Sequence, residues 1–219
     1  MAIKKQPRTK KQETGSQIKT VIFDLGNVLA LHDARIAARR YSKIIGLDFK
    51  EVWDTILTSK TEKSYTRGEI TSYEFFRYAK SLGRRKFKMS YIEFRDIWNE
   101  IFTENPGMET VLKRLKKNYP LYLISNTNAM HYKYLVKKYW HLLKHFRRRF
   151  PSHEVGARKP DPEIYRRVLR AIKYKPAHSV FIDDHPGFIE GAKSVGMHGI
   201  IFKTPAQLLR ELKKLGVRT

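Results

Sequence analysis

What most constrains this chain is a set of short apolar runs with no polar alternation, three of them followed at once by a polar residue. These are VIF before Asp24, LYLI before Ser125 and SVFI before Asp183, with HGIIF nearer the C-terminus. A strand that is apolar at every position has both faces buried, which marks a parallel sheet covered by helices on both sides. Between the runs lie segments of helical period, METVLKRLKKN, MHYKYLVKKYWHLL, DPEIYRRVLRAI and FIEGAKSVG, and FRRRFPS reads as a further strand. Parallel strands need crossovers of about this length. Asp161 stands at an N-cap position with Pro162 at the first helical position, and Thr204-Pro205 opens a last helix. The alternation predicts an α/β fold, a doubly wound parallel sheet.

Residues 33–103 break that rhythm. Apolar and aromatic residues recur there at helical spacing, as in Val52, Trp53, Ile56 and Leu57 or Phe75, Phe76, Ala79 and Leu82. The pattern predicts an all-helical insertion over 33–103, leaving 20–32 and 104–219 to form the core. Residues 1–19 are polar and lysine-rich without an apolar face, and predict a flexible tail.

Composition narrows the chemistry. There is no cysteine, so disulfides, thiolate metal sites and cysteine nucleophiles are excluded. No run approaches the roughly 18 to 20 apolar residues of a membrane helix, and the expectation is a soluble cytoplasmic protein with no membrane partner. Forty-five Lys and Arg against 21 Asp and Glu give +24, a field that attracts phosphates. The basic residues are dispersed, as in Arg84-Arg85-Lys86 and Arg147-Arg148-Arg149, and read first as a solvated surface. Nucleic-acid contact is the less favoured partner, and no feature sets an oligomeric state.

Ligands of open parallel sheets bind beyond the carboxyl ends of the strands. Asp24 ends the first strand there, Ser125-Asn126-Thr127-Asn128 the second and Asp183-Asp184 the third, while the loop EVGARKPDP carries Lys159. Paired carboxylates suit a hard cation such as Mg2+. A carboxylate beside a neutralised phosphate can attack phosphorus, so Asp24 is the expected nucleophile, with Lys159 and Ser125 holding the phosphoryl oxygens. The substrate expected from this chemistry is a small-molecule phosphate ester.

In order, FDLGNVL, ISNTN, GARKPDPEIY and FIDD with IEGAKSVGM resemble the four motifs of haloacid dehalogenase-like hydrolases. The similarity is strongest to the phosphatase subgroup that includes bacterial glucose-1-phosphatases and the N-terminal domain of soluble epoxide hydrolases, and it spans residues 20 to 203. It implies that Asp24 is phosphorylated, that Ser125 and Asn126 contact the phosphoryl group and that Lys159 balances its charge. It also implies Mg2+ held by Asp24, the Gly26 carbonyl and Asp184, with Asp183 in support, and a helical cap over the substrate.

Two positions depart from the family pattern. Most of its phosphatases carry a second aspartate, the general acid and base, two residues after the nucleophile, where this chain has Gly26. The subgroup shares that glycine. Its expected consequence is a preference for esters with good leaving groups, anomeric or aryl, because acid help worth roughly 10² to 10⁴ in rate is missing. His32, Asp33 and Asp183 are the candidate bases. Phe188 replaces a polar residue that orders the loop behind the metal, and His185 is the candidate to compensate. His141 and His145, four apart, lack a third ligand and read as surface histidines. Two alternatives stand beside the phosphatase, a metal-free 2-haloacid dehalogenase and a catalytically weak binder of nucleic acid or another polyanion.

Overall fold

The computed structural model describes residues 17–84 and 88–219. Most of the expected N-terminal tail, together with Arg85 and Lys86, lies outside the described residues.

Five strands form one parallel sheet: β1 (Thr20–Phe23), β4 (Leu121–Ser125), β5 (Arg148–Pro151), β6 (Ser179–Asp183) and β7 (His198–Ile201). Their order is β5-β4-β1-β6-β7, and every pairing is parallel. Strand β1 therefore lies at the centre, and the chain steps to opposite sides of it at β4 and β6. That reversal opens a crevice beyond the end of β1. The period of two along each strand sorts the side chains between two cores. Val21, Phe23, Leu121, Leu123, Val180 and Ile182 face one side, and Ile22, Tyr122, Ile124 and Phe181 the other.

On the first face pack α6 (Met108–Lys116), α7 (Ala129–Lys138), α8 (Trp140–Leu143) and α12 (Pro205–Lys214); on the second, α10 (Pro162–Ile172) and α11 (Pro186–Lys193). The sheet is doubly wound, as the apolar runs require. The expected single helix over MHYKYLVKKYWHLL divides at Tyr139, whose backbone leaves the helical region. Its side chain is buried, and its hydroxyl donates to the Phe102 carbonyl at 3.0 Å. A tertiary contact outweighs one residue's helical preference there.

Between β1 and β4 lie α1 (Ala34–Ile45), α2 (Phe49–Val52) with a π-helical turn (Trp53–Leu57), α3 (Lys60–Thr66), α4 (Ser72–Ser81) and α5 (Tyr91–Asn99). These helices are short and locally specified. Asp48 with Glu51, Thr71 with Glu74 and Ser90 with Glu93 form reciprocal capping boxes at the starts of α2, α4 and α5. Their apolar faces meet in a cluster of Tyr41, Tyr65, Phe75, Phe76, Phe94 and Trp98.

The insertion is not wholly helical. β2 (Ala30–His32) and β3 (Phe102–Glu104) pair antiparallel at its base, His32 opposite Phe102 and Ala30 opposite Glu104. Three-residue strands separated by the whole insertion leave no local signal. The end of α3 is docked on the core: Ser152 Oγ donates to the Thr66 carbonyl at 2.6 Å, and the Met130 amide to Tyr65 Oη at 3.3 Å. Gly68, at φ 76°, lies so near the His153 carbonyl that a Cβ would stand 2.1 Å from its oxygen. No helix among the described residues is long and apolar enough to cross a membrane.

Candidate active site

The sheet carries Asp24 into the crevice directly. Its amide continues the β1 ladder by donating to the Ile182 carbonyl at 2.8 Å, which fixes the side chain beyond the strand end. Asp183 ends β6, and its carbonyl accepts from the Phe202 amide at 2.8 Å. Lys159 arrives from the loop before α10 and lies between the two acids. Its Nζ is 2.7 Å from Asp24 Oδ1 and 2.6 Å from Asp183 Oδ2, and all three residues are buried.

Asn126 sets the lysine's position. Its Oδ1 accepts from the Lys159 amide at 2.8 Å and its Nδ2 donates to the Lys159 carbonyl at 2.9 Å. The Asn126 side chain is thereby spent on the lysine's backbone, leaving its own main chain for a ligand. Ser125, at the end of β4, lines the adjoining cavity.

Asp24, Asp183 and Asp184 each bring a carboxylate oxygen within 4.8 Å of the other two. Three acids cluster where one buried lysine pairs with two of them, so negative charge is in surplus. Burial pushes the Asp24 carboxyl up to about 7 against the pull of Lys159, and Asp183 adds to the rise. Burial raises Asp183 as well, with Lys159 opposing. Asp24 Oδ1 is buried against the Lys159 ammonium at 2.7 Å. An all-oxygen donor set in which three carboxylates outnumber the single buried ammonium fits a hard divalent ion such as Mg2+.

The three acids are not equally free. Asp183 has both oxygens engaged, Oδ1 by the His185 amide at 2.8 Å and Oδ2 by Lys159. Asp184, half-buried, accepts from Asn27 Nδ2 at 3.1 Å. Asn27 reaches it because the turn after β1 is tight: Leu25 accepts from the amides of Leu29 and Ala30, each at 2.9 Å, and Asn27 adopts φ 53°. Asparagine tolerates that left-handed conformation better than most residues.

Residues 18–196 match the haloacid dehalogenase-like hydrolase family. The chain belongs to that family. Mouse bifunctional epoxide hydrolase 2 is 26% identical over 214 residues, which cover 90% of this chain and 39% of the relative. The chain thus spans well under half the length of that protein. The sesquiterpene phosphatase AstK of Aspergillus oryzae is 27% identical over 201 residues, covering 90% of this chain and 96% of its own. A HAD family enzyme from Bacteroides thetaiotaomicron, solved with magnesium and inorganic phosphate, superposes with a TM-score of 0.73 at 25% identity. That superposition covers 86% of this chain and 96% of the other.

Within this haloacid dehalogenase-like site, the space beside Gly26 is filled. A Cβ there would stand 3.2 Å from His32 Cε1 and 3.3 Å from its Nδ1, with Asp24 Oδ2 at 4.0 Å. The imidazole thus lies where a side chain two residues after Asp24 would begin. Although the residue is exposed, desolvation of the ring by its neighbours lowers its pKa, with Asp184 and Asp33 acting in the opposite direction. The other two candidate bases are placed differently. Asp33 caps α1 and is paired with Arg35 at 2.7 Å, and Asp183 is held by Lys159 and the His185 amide.

Around the metal loop, His185 does cap α11, its Nδ1 accepting from the Gly187 amide at 3.1 Å. The Phe188 ring stacks on it at 4.4 Å and lies 4.8 Å from Lys159 Nζ. This ring over the lysine was not legible in the sequence, because it joins α11 to the loop before α10. The two histidines of the 141–145 pair part company. His141 is exposed and 2.9 Å from Glu104, while His145 is buried with neither ring nitrogen hydrogen-bonded, so the surface reading fails for His145. It faces the core because the helix carrying the pair ends at Leu143.

A cavity of about 220 Å³ adjoins the site between sheet and insertion. Leu25, Gly26, Ser125 and Asn126 form its floor, and Ala37, Leu57, Phe75 and Trp98 its apolar walls. His131 spans the seam. Its Nε2 donates to the Trp98 carbonyl at 3.0 Å and its Nδ1 lies 3.3 Å from Asn128 Nδ2, which fixes a neutral tautomer.

Proposed function

We propose that this chain is a magnesium-dependent phosphatase acting on small phosphate monoesters, with Asp24 as nucleophile. The observation that carries the reading is the convergence of three carboxylates within 4.8 Å of one another at the switch point of a parallel sheet, two of them paired with one buried lysine. A metal-free dehalogenase has no use for the surplus charge; a phosphate with its cation needs it.

Asp24, Asp184 and the Gly26 carbonyl would hold Mg2+, with Asp183 in support through Lys159. The ion supplies charge neutralisation that lets a carboxylate approach an anionic ester. An Asp24 oxygen forms a bond to phosphorus as the ester P–O bond breaks, and the alcohol oxygen leaves with the electron pair. Lys159, Ser125 and the Asn126 main chain hold the equatorial oxygens. A water then attacks the aspartyl-phosphate, restoring Asp24 and releasing phosphate.

His32 is suited to take the proton from that water, since a lowered pKa keeps the imidazole neutral near pH 7. Gly26 offers no side-chain acid two residues after the nucleophile, which supports faster turnover of aryl and anomeric esters than of simple alkyl ones. The helices between β2 and β3, residues 33–103 in the main, act as the cap that encloses the cavity.

Para-nitrophenyl phosphate and the Asp24→Asn variant test the reading. Expected is Mg2+-dependent phosphate release that chelation abolishes and the variant lowers by at least ~10³-fold. Full activity in the variant overturns the nucleophile. Chloride release from a 2-haloacid without metal would select the dehalogenase, and salt-sensitive nucleic-acid binding without phosphate release the polyanion binder.

A further inference from the structure

One carboxylate faces the cavity from the insertion rather than from the sheet. Glu62 stands at the third position of α3, after the N-cap Ser59. In α2, α4 and α5 the glutamate at the same position folds back onto its N-cap amide. Glu62 does not. Its amide uses Ser59 Oγ at 3.0 Å, but its carboxylate turns away to Arg158 Nη1 at 3.3 Å. The side chain gives up the local bond that its three counterparts make, and joins the cavity lining instead.

Its position is fixed. Thr66 and Tyr65, one turn further on, carry the hydrogen bonds that dock α3 on the core. Arg158 immediately precedes the lysine that touches Asp24. Burial raises the Glu62 pKa while Arg158 opposes that rise. Among the described residues lining the cavity, Glu62 is the one carboxylate, and the remaining wall is apolar or neutral.

Resting on the phosphatase reading, we propose that Glu62 is a specificity-determining residue: it rejects monoesters whose alcohol part bears a second negative charge and admits neutral ones. A charge fixed in a partly desolvated wall repels a like charge strongly. The +24 field of the whole chain draws anions in the opposite sense, so the local effect is separable from the global one.

The test compares two aryl phosphates of matched shape, 4-carbamoylphenyl and 4-carboxyphenyl phosphate, with the full chain and Mg2+. In the wild type, kcat/KM for the carbamoyl ester is expected to exceed that for the carboxyl ester by about tenfold. Glu62→Gln should bring the ratio to within about twofold, and Arg158→Gln, assayed at alkaline pH so that Glu62 stays ionised without its cation, should widen it. Opposite shifts from the two halves of one ion pair are not produced by loosened packing. A wild-type ratio near one, or a ratio that moves the same way in both variants, overturns the proposal. Should Glu62→Gln fail to fold, the wild-type ratio and the Arg158→Gln shift decide. Absence of phosphate release from both esters in the wild type overturns the phosphatase reading, and this inference with it.

Discussion

The sheet and the inserted helices satisfy their polar groups in different ways. In the insertion the partners are neighbours in sequence: Asp48 with Glu51, Thr71 with Glu74, Ser90 with Glu93. At the strand ends they are far apart, as Lys159 is from Asp24 and Asn126, and Asn27 from Asp184. Local partners make separable contributions of about 1 kcal/mol each. Distant buried partners form one unit, and removing a member leaves the others uncompensated. On the proposed reading, the chemistry lies where the fold is least tolerant, and selectivity where it is most adjustable.

Lys159→Met is the strongest test of that contrast. It strands Asp24 and Asp183 in a buried setting without their cation, and should cost about 3–5 kcal/mol in urea unfolding without metal. Mg2+ should return part of this, because the ion supplies the missing positive charge. A loss below about 1 kcal/mol would show that the strand ends tolerate change as the insertion does.

His32 sharpens the comparison because it lies on β2, at the border of the two regions. If it takes the proton from the attacking water, His32→Gln should lower kcat by about 10²-fold or more. Breakdown of the aspartyl-phosphate would then limit every ester, so aryl and alkyl substrates should turn over at the same rate. Rapid-quench traces should show a burst of alcohol equal to the enzyme present. An unchanged kcat would return the role of base to the groups on the strands.

The same contrast explains what could be read from the sequence. VIF, LYLI and SVFI are buried on both faces by chemistry visible in the residues themselves, and the polar residue after each run falls where the sheet needs it. The five strands and the positions of Asp24, Ser125, Asp183 and Asp184 were therefore legible. β2 and β3 were not, because three residues carry no period and their partner lies beyond the insertion. The place of His32 beside Gly26 depends on that unread pairing. The break at Tyr139, the ring of Phe188 over Lys159 and the turn of Glu62 away from its cap all depend on contacts between segments distant in sequence.

His131 probes the seam between the regions. Burial holds its pKa down to about 4, with the Trp98 carbonyl partly opposing. The folded state thus binds this proton more weakly than the unfolded chain. The contribution is fully present above the ordinary value of 6.5 and is lost as pH falls from there toward about 4. Its size is on the order of 3 kcal/mol. Wild type and His131→Gln should diverge across that window and run parallel above it. Parallel curves throughout would place the histidine in free exchange with water rather than locked between Trp98 and Asn128.

The smallest effect should come from Thr71→Ala, and its smallness is informative. Thr71 Oγ1 accepts from the Glu74 amide at 3.2 Å, while Glu74 accepts from the Thr71 amide at 2.7 Å. Both residues are exposed or nearly so, and neither lines the cavity. Losing the cap should cost about 1 kcal/mol, or about 2–4 °C in Tm, with kcat/KM unchanged for any ester. α4 carries Phe75 into the cavity wall, so a change in kcat/KM would mean that cap stability is transmitted to the pocket. In that case the insertion is not a set of independently capped helices but a second cooperative unit, and the division drawn between the two regions would have to be redrawn around the aromatic cluster of Tyr65, Phe75, Phe94 and Trp98.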